Sequence, residues 1–282
     1  MSTRSRLLPL LGRAGGLLRR LGLSRGVDAA GSAVARFAVR ERTIDGLAIS
    51  GGHVGHLHYL SELADGTREH VLLAELKRAC RPGSTVLEAG AHIGFLTLQA
   101  ARAVGPAGRV VAFEANPTTI PVLERNLRRN DLADRVEVVP LALGAAEGTS
   151  RFVVRGSGDE SSFFGGHGTE IEVAVTTVDA WLAAHDGLPP VSAVKVDVEG
   201  AEPAVLAGMR GTLAAAGPDV TLFVECNPGV LEPAGSSAAD LVELIRSLGF
   251  EVGWIDEEGG RVLPYAGPDW SAEYVNLVCR RV

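Results

Sequence analysis

Cysteine is nearly missing from this sequence: Cys80, Cys226 and Cys279 are the three in 282 residues, odd in number, far apart and never in a C-x-x-C pair. Neither a disulfide framework nor a zinc site is signalled, and a reducing compartment fits best. Long apolar runs are missing too. None approaches the ~20 residues that a spanning helix needs, and no leader with a long apolar core and a small-residue cleavage site stands out, so a cytoplasmic location is expected. Positive charge is in deficit, with a formal net charge of -7. The chain lacks the basic surplus that neutralises phosphates, and no nucleic-acid partner is expected. Lysine is all but absent, Lys77 and Lys195 being the only two, so a lysine inside a motif reads as specifically wanted. No internal repeat is visible.

What is present, 46% hydrophobic and 22% charged residues, suffices for one sizeable α/β domain with an appendage. The start differs from the rest. Arg4, Arg6, Arg13, Arg19, Arg20 and Arg25 precede the first acid, Asp28. Leu7, Leu11, Leu18 and Leu21 recur at helical spacing, but Pro9, Gly12, Gly15, Gly16 and Gly22 oppose a helix, at roughly 1 kcal/mol per interior glycine. We expect residues 1–40 to form a basic, flexible segment, with weak membrane-surface or partner contact as the other reading. The domain proper is expected over 41–282, divided into an N-terminal cap (41–84) and a Rossmann-like core (85–282).

From residue 40 short apolar runs alternate with longer helical stretches, the pattern of a parallel sheet with helical crossovers. Strands are expected at 85–90, 109–115, 135–143, 193–199, 220–226, 251–256 and 274–279, giving a doubly wound, mostly parallel seven-stranded sheet with helices on both faces. Helices are expected at 94–104, from Pro117 to about 130 with Asn116 as cap, from 201 to about 216, and at 238–248. Runs 151–155 and 170–178 alternate like an inserted hairpin around a glycine- and serine-rich loop, 156–168. Upstream, 44–63 reads as short strands joined by a Gly-Gly turn, followed by a helix at 69–80. That reading puts His56 and His58 on one strand face near His53. With no carboxylate at ligand spacing, these are expected to be surface histidines rather than a metal site.

The central motif is Glu88-Ala89-Gly90-Ala91-His92-Ile93-Gly94, between a buried strand and a helix. Gly90 and Gly94 let the backbone bend and a ligand approach it, and the helix start offers unpaired N–H groups to an anion. The turn lacks the G-x-G-x-x-G that a dinucleotide pyrophosphate needs, and an acid at Glu88 would repel a phosphate. S-adenosylmethionine carries a carboxylate and an ammonium but no phosphate, so it is the expected cofactor. Glu114, ending the second strand, stands where doubly wound folds place an acid on ribose hydroxyls. Ala91, His92, Ala115, Leu141 and Ala142, beside these strand ends, are further expected cofactor contacts. The third motif is Lys195-Val196-Asp197-Val198-Glu199-Gly200-Ala201-Glu202. Alternation would set Lys195, Asp197 and Glu199 on one face, at the strand end where the reacting group belongs. Asp197 is the first candidate to orient or deprotonate an acceptor, with Lys195 as electrostatic partner and Glu199 as second candidate. A divalent metal on Asp197, with Glu199 or Glu225 as co-ligand, is the less favoured alternative, and no metal ligand is assigned.

These residues carry a resemblance. VLEAGAHIGFLTL (86–98), VVAFEANPTTIPVLERNL (110–127), RVEVVPLALG (135–144), VTTVDAWL (175–182) and above all VKVDVEGAEPAVLAG (194–208) are similar to the FkbM family of S-adenosylmethionine-dependent methyltransferases. The resemblance implies a class I methyltransferase fold and methyl transfer, usually to oxygen, on a small molecule or sugar of secondary-metabolite or cell-surface pathways. His92 departs from it, standing where the family usually has Asn; its ring could donate to the cofactor carboxylate or titrate. An NAD-dependent oxidoreductase and a catalytically silent cofactor-binding module are the rival readings.

Overall fold

A run such as Thr85–Ala89, with all five residues buried, can only be a strand covered on both faces, and it forms the middle of the sheet in the computed structural model. The structure describes residues 41–52, 56–154, 168–185, 187–265 and 274–282. The Arg-rich segment 1–40, His53 and the 156–168 loop up to residue 167 lie outside the described residues.

In chain order, β1 (Arg42–Ile44) and β2 (Leu47–Ile49) pair as a hairpin, and α1 (His56–Asp65) and α2 (His70–Ala79) follow. Next come β3 (Thr85–Ala89), α3 (Phe95–Val104), β4 (Arg109–Phe113), α4 (Ile120–Arg129) and β5 (Val136–Val139). A side sheet holds β6 (Ala142–Leu143), β7 (Gly148–Val154) and β8 (Thr169–Thr176). The chain continues through α5 (Val178–Ala183), β9 (Val191–Val196), α6 (Glu202–Ala207), α7 (Arg210–Ala215) and β10 (Thr221–Cys226). It ends with α8 (Pro228–Leu231), α9 (Ala238–Ser247), β11 (Phe250–Asp256), β12 (Arg261–Pro264) and β13 (Val275–Arg281).

The main sheet has eight strands in the order β12-β11-β13-β10-β9-β3-β4-β5. β10, β9, β3, β4 and β5 run parallel, and β13, β11 and β12 antiparallel. Alternate residues feed two cores. Val86, Val110 and Ala112 join the cluster with Leu72, Leu98 and Leu123; Leu87, Val111, Phe113 and Val194 join the one with Leu206, Leu213 and Leu241. Among the described residues no helix is long and apolar enough to cross a membrane.

Several expectations need correction. The eighth strand, β12, escaped notice because Arg-Val-Leu-Pro is short, partly exposed and ends in proline, as an edge strand tolerates. The expected strand at 135–143 breaks at Pro140, and its end, β6, pairs with β8 in the side sheet. The expected helix from 201 to 216 is two. A Cβ on Gly208 would overlap the Gly144 carbonyl, and Asp179 captures the Gly211 and Thr212 N–H groups that start α7. Upstream, the turn is Asp45-Gly46, both at positive φ, and residues 56–65 are helical, so His56 and His58 share no strand face. His56 is also not a surface residue; it is 1% exposed. Helix α4 begins three residues after Pro117, with Asn116 closing the preceding turn by accepting from the Thr118 N–H.

Candidate active site

The carboxyl ends of β3, β4, β9 and β10 open on one cavity of about 190 Å³. Its floor is the turn after β3, where Gly90 (φ 82°) and Gly94 (φ 91°) take left-handed conformations that glycine adopts without strain. A Cβ on Gly90 would overlap the Asp197 carbonyl oxygen, so this glycine lets the turns after β3 and β9 meet. Gly94 does not line the cavity; a Cβ there would strike Leu123 of α4, and its constraint is packing.

Glu114 lies just beyond β4, 8% exposed, and its two carboxylate oxygens accept from the His92 N–H (2.7 Å) and the Asn116 N–H (2.8 Å). Burial raises its pKa, and these two bonds oppose the rise. Ala91, Ala115, Leu141 and Ala142 line the same wall. The His92 ring turns toward α1, with Nε2 3.2 Å from His56 Nε2 and its face near Tyr59. His56 Nδ1 accepts from the Gly52 N–H (2.8 Å), which leaves Nε2 to carry that ring's proton toward His92.

Strand β9 ends at Val196, so the alternation expected through Glu199 stops short. The Asp197 N–H still bonds to the Ala89 carbonyl, but Glu199 (φ 53°) and Gly200 (φ 102°) turn the chain sharply. Buried Glu202 staples that turn by accepting from the Val198 and Gly200 N–H groups. Lys195, Asp197 and Glu199 nevertheless all line the cavity, joined by Glu88 and Glu225. Lys195 Nζ lies 3.0 Å from Asp197 Oδ2. Burial pulls the lysine pKa down, but Asp197, Glu88 and Glu69 outweigh it and hold the ammonium charged. Glu88 accepts from Thr97 Oγ1 (2.6 Å), and burial pushes its pKa up to about 7.

Sequence reasoning pointed to the part upstream of Glu69 as a pocket wall but singled out no residue on it. Tyr59 and Glu62 of α1 and Arg68 and Glu69 before α2 line the cavity opposite the strand ends. Tyr59 Oη lies 3.4 Å from Glu69 Oε2, and the Arg68 guanidinium sits 5.2 Å from the Tyr59 ring centroid and 5.5 Å from that of Tyr274. These residues carry no binding or catalytic motif.

A parallel sheet whose carboxyl edge presents a glycine turn, a strand-end acid and a Lys–Asp pair defines a nucleoside-cofactor α/β enzyme architecture. The methyltransferase FkbM domain model matches residues 88–252, more than half of the chain, and the chain belongs to that family. It is 52% identical to a catechol O-methyltransferase of Mycobacterium tuberculosis over 54 residues, 19% of this chain and 24% of that protein. It is 30% identical to the methyltransferase sdnD of Sordaria araneosa over 156 residues, 44% of this chain and 60% of that protein. The chain thus spans less than two thirds of the length of these relatives. Among solved structures, the O-methyltransferase TomG of Streptomyces achromogenes, in complex with S-adenosylmethionine, is 15% identical, with 81% of this chain and 86% of that one covered and a TM-score of 0.48.

Proposed function

We propose that the chain transfers a methyl group from S-adenosylmethionine to a hydroxyl of a small molecule or sugar. The observation that carries this reading is Glu114. Each of its oxygens is anchored on one backbone N–H and keeps a lone pair for a further donor, the arrangement that suits a vicinal pair of ribose hydroxyls. The cofactor, when bound, supplies an electrophilic methyl on a sulfonium. Gly90, Ala91 and His92 would flank its amino-acid end, and Ala115, Leu141 and Ala142 its adenosine. Asp197 orients the acceptor hydroxyl and takes its proton; Lys195 holds Asp197 in place through their 3.0 Å ion pair; Glu199 stands beside them as a second polar contact. The carboxylate-rich lining also suits the positive sulfonium and ammonium of the cofactor.

Thermal shift and calorimetry on the full chain test the reading. S-adenosylmethionine and its demethylated product should each raise the melting temperature and bind one per chain, whereas NAD should do neither. Stabilisation by NAD alone would favour an oxidoreductase instead.

A further inference from the structure

Asp197, Glu199 and Glu225 each offer a carboxylate oxygen, and the three oxygens lie within 4.8 Å of one another. Ligands that share one ion at 2.0–2.6 Å stand on the order of 3–5 Å apart, so this spacing is that of a common centre. Glu225 adds an independent observation. It sits at the end of β10, 8% exposed, and lines the cavity, yet among the described residues no hydrogen bond or ion pair reaches its carboxylate. Its neighbours are better provided: Glu88 has Thr97, Glu114 has two backbone N–H groups, and Glu69 has Arg68 and Tyr59. The cavity's lysine is held by Asp197, and its arginine pairs with Glu62 and Glu69. A buried carboxylate without a partner is costly, and a cation shared with Asp197 and Glu199 would supply one to Glu225.

We propose that Asp197, Glu199 and Glu225 bind one divalent cation of the hard, oxygen-preferring class, Mg²⁺ or Mn²⁺. The donor set is all oxygen, with neither cysteine nor histidine in it, which disfavours zinc. Asp197 keeps Lys195 on Oδ2 and gives its other oxygen to the ion. What the ion would supply rests on the methyl-transfer reading: beside the acceptor hydroxyl it would make that group more acidic and so ease transfer of its proton to Asp197.

The binding itself needs no cofactor. Mn²⁺ titration of the chelator-treated full chain, followed by electron paramagnetic resonance, should reveal one site, and Mg²⁺ should compete for it. Glu225→Gln should weaken Mn²⁺ binding at least about tenfold while the melting temperature holds or rises, because the variant removes a buried carboxyl that has no hydrogen-bond partner among the described residues. Glu199→Gln should weaken it as well. Absence of saturable binding up to about 10 mM Mn²⁺ overturns the site, as does equal binding by the wild type and Glu225→Gln. If Mn²⁺ binds in a Glu225-dependent way while S-adenosylmethionine does not bind, the cation site stands and the methyl-transfer reading falls. If the cofactor binds and Mn²⁺ does not, the reverse holds.

Discussion

Glu114 is held by the His92 and Asn116 N–H groups before any ligand arrives, so its contribution to a nucleoside ligand is preorganised. Its bonds to ribose are the same in ground and transition states, so Glu114→Ala should weaken S-adenosylmethionine binding by roughly 1.5–3 kcal/mol and alter turnover at saturation little. Calorimetry showing unchanged affinity would remove Glu114 from the site. Asp197→Asn keeps the shape and removes the charge; turnover should fall about 10²–10⁴-fold while cofactor affinity survives. Buried Lys195 loses its partner in that variant, so the melting temperature must be measured alongside. A loss of stability that tracks the loss of turnover would make the pair structural.

Glu88 carries a pH signature. Burial raises it from the ordinary 4.5 to about 7, so the folded chain binds this proton more tightly than the unfolded chain does. The contribution to stability is fully present below pH 4.5 and is lost as pH rises through about 7. Glu88→Gln retains an acceptor for Thr97 and should flatten the wild-type decline between pH 5 and 8 by about 2.5 kcal/mol. Urea unfolding of the cofactor-free chain at both pH values checks this, and parallel curves for the two proteins would refute it.

At the scale of elements, the β1–β2 hairpin and the stretch behind it are tied to α4 by two asparagines. Asn130 exchanges bonds with the Ala48 N–H and carbonyl. Asn126, fully buried, accepts from Ser50 N–H and Oγ and donates to the Ser50 and Ile93 carbonyls. The residues before α1 are thus fixed to the same helix that packs on Gly94 and to the glycine turn itself. Asn126→Ala strands several buried polar groups and should cost about 2–4 kcal/mol. Denaturant unfolding measures that cost, and a change below about 0.5 kcal/mol would show that the tie is unimportant. Of these elements, β3, β4, β9, β10 and the helices α3 and α4 were legible because buried parallel strands are continuous apolar runs and helices keep a 3.6 period. The hairpin at 42–49 and helix α1 were misread. A glycine interrupts the first period and two histidines the second, and long-range bonds from Asn126 and Asn130 to Ser50 and Ala48 hold the end of the hairpin.

For the whole molecule, the site gathers segments far apart in sequence: α1, the turns after β3 and β4, the turn after β9 and the end of β10. A ligand that bridges them stabilises the folded state by mass action. Cofactor at a hundredfold excess over its dissociation constant should add about 2.7 kcal/mol, which is a rise of several degrees in melting temperature for a chain of this size. Melting temperatures measured across a cofactor series should follow that logarithmic rise.

The amino-acid sequence alone determined the sheet's central strands, the glycine turn, Glu114 and the Lys195–Glu202 motif, because each rests on local spacing or on a continuous apolar run. Tertiary structure decided the rest. It set β12 on the edge and sent β6 to the side sheet, ended β9 before Asp197, and turned His92 onto His56. It also brought Tyr59, Arg68 and Glu69 across from the strand ends and left Glu225 buried beside Asp197 and Glu199. None of these is encoded in a local period: each depends on which distant surface packs against the residue, and that is fixed only when the whole core closes.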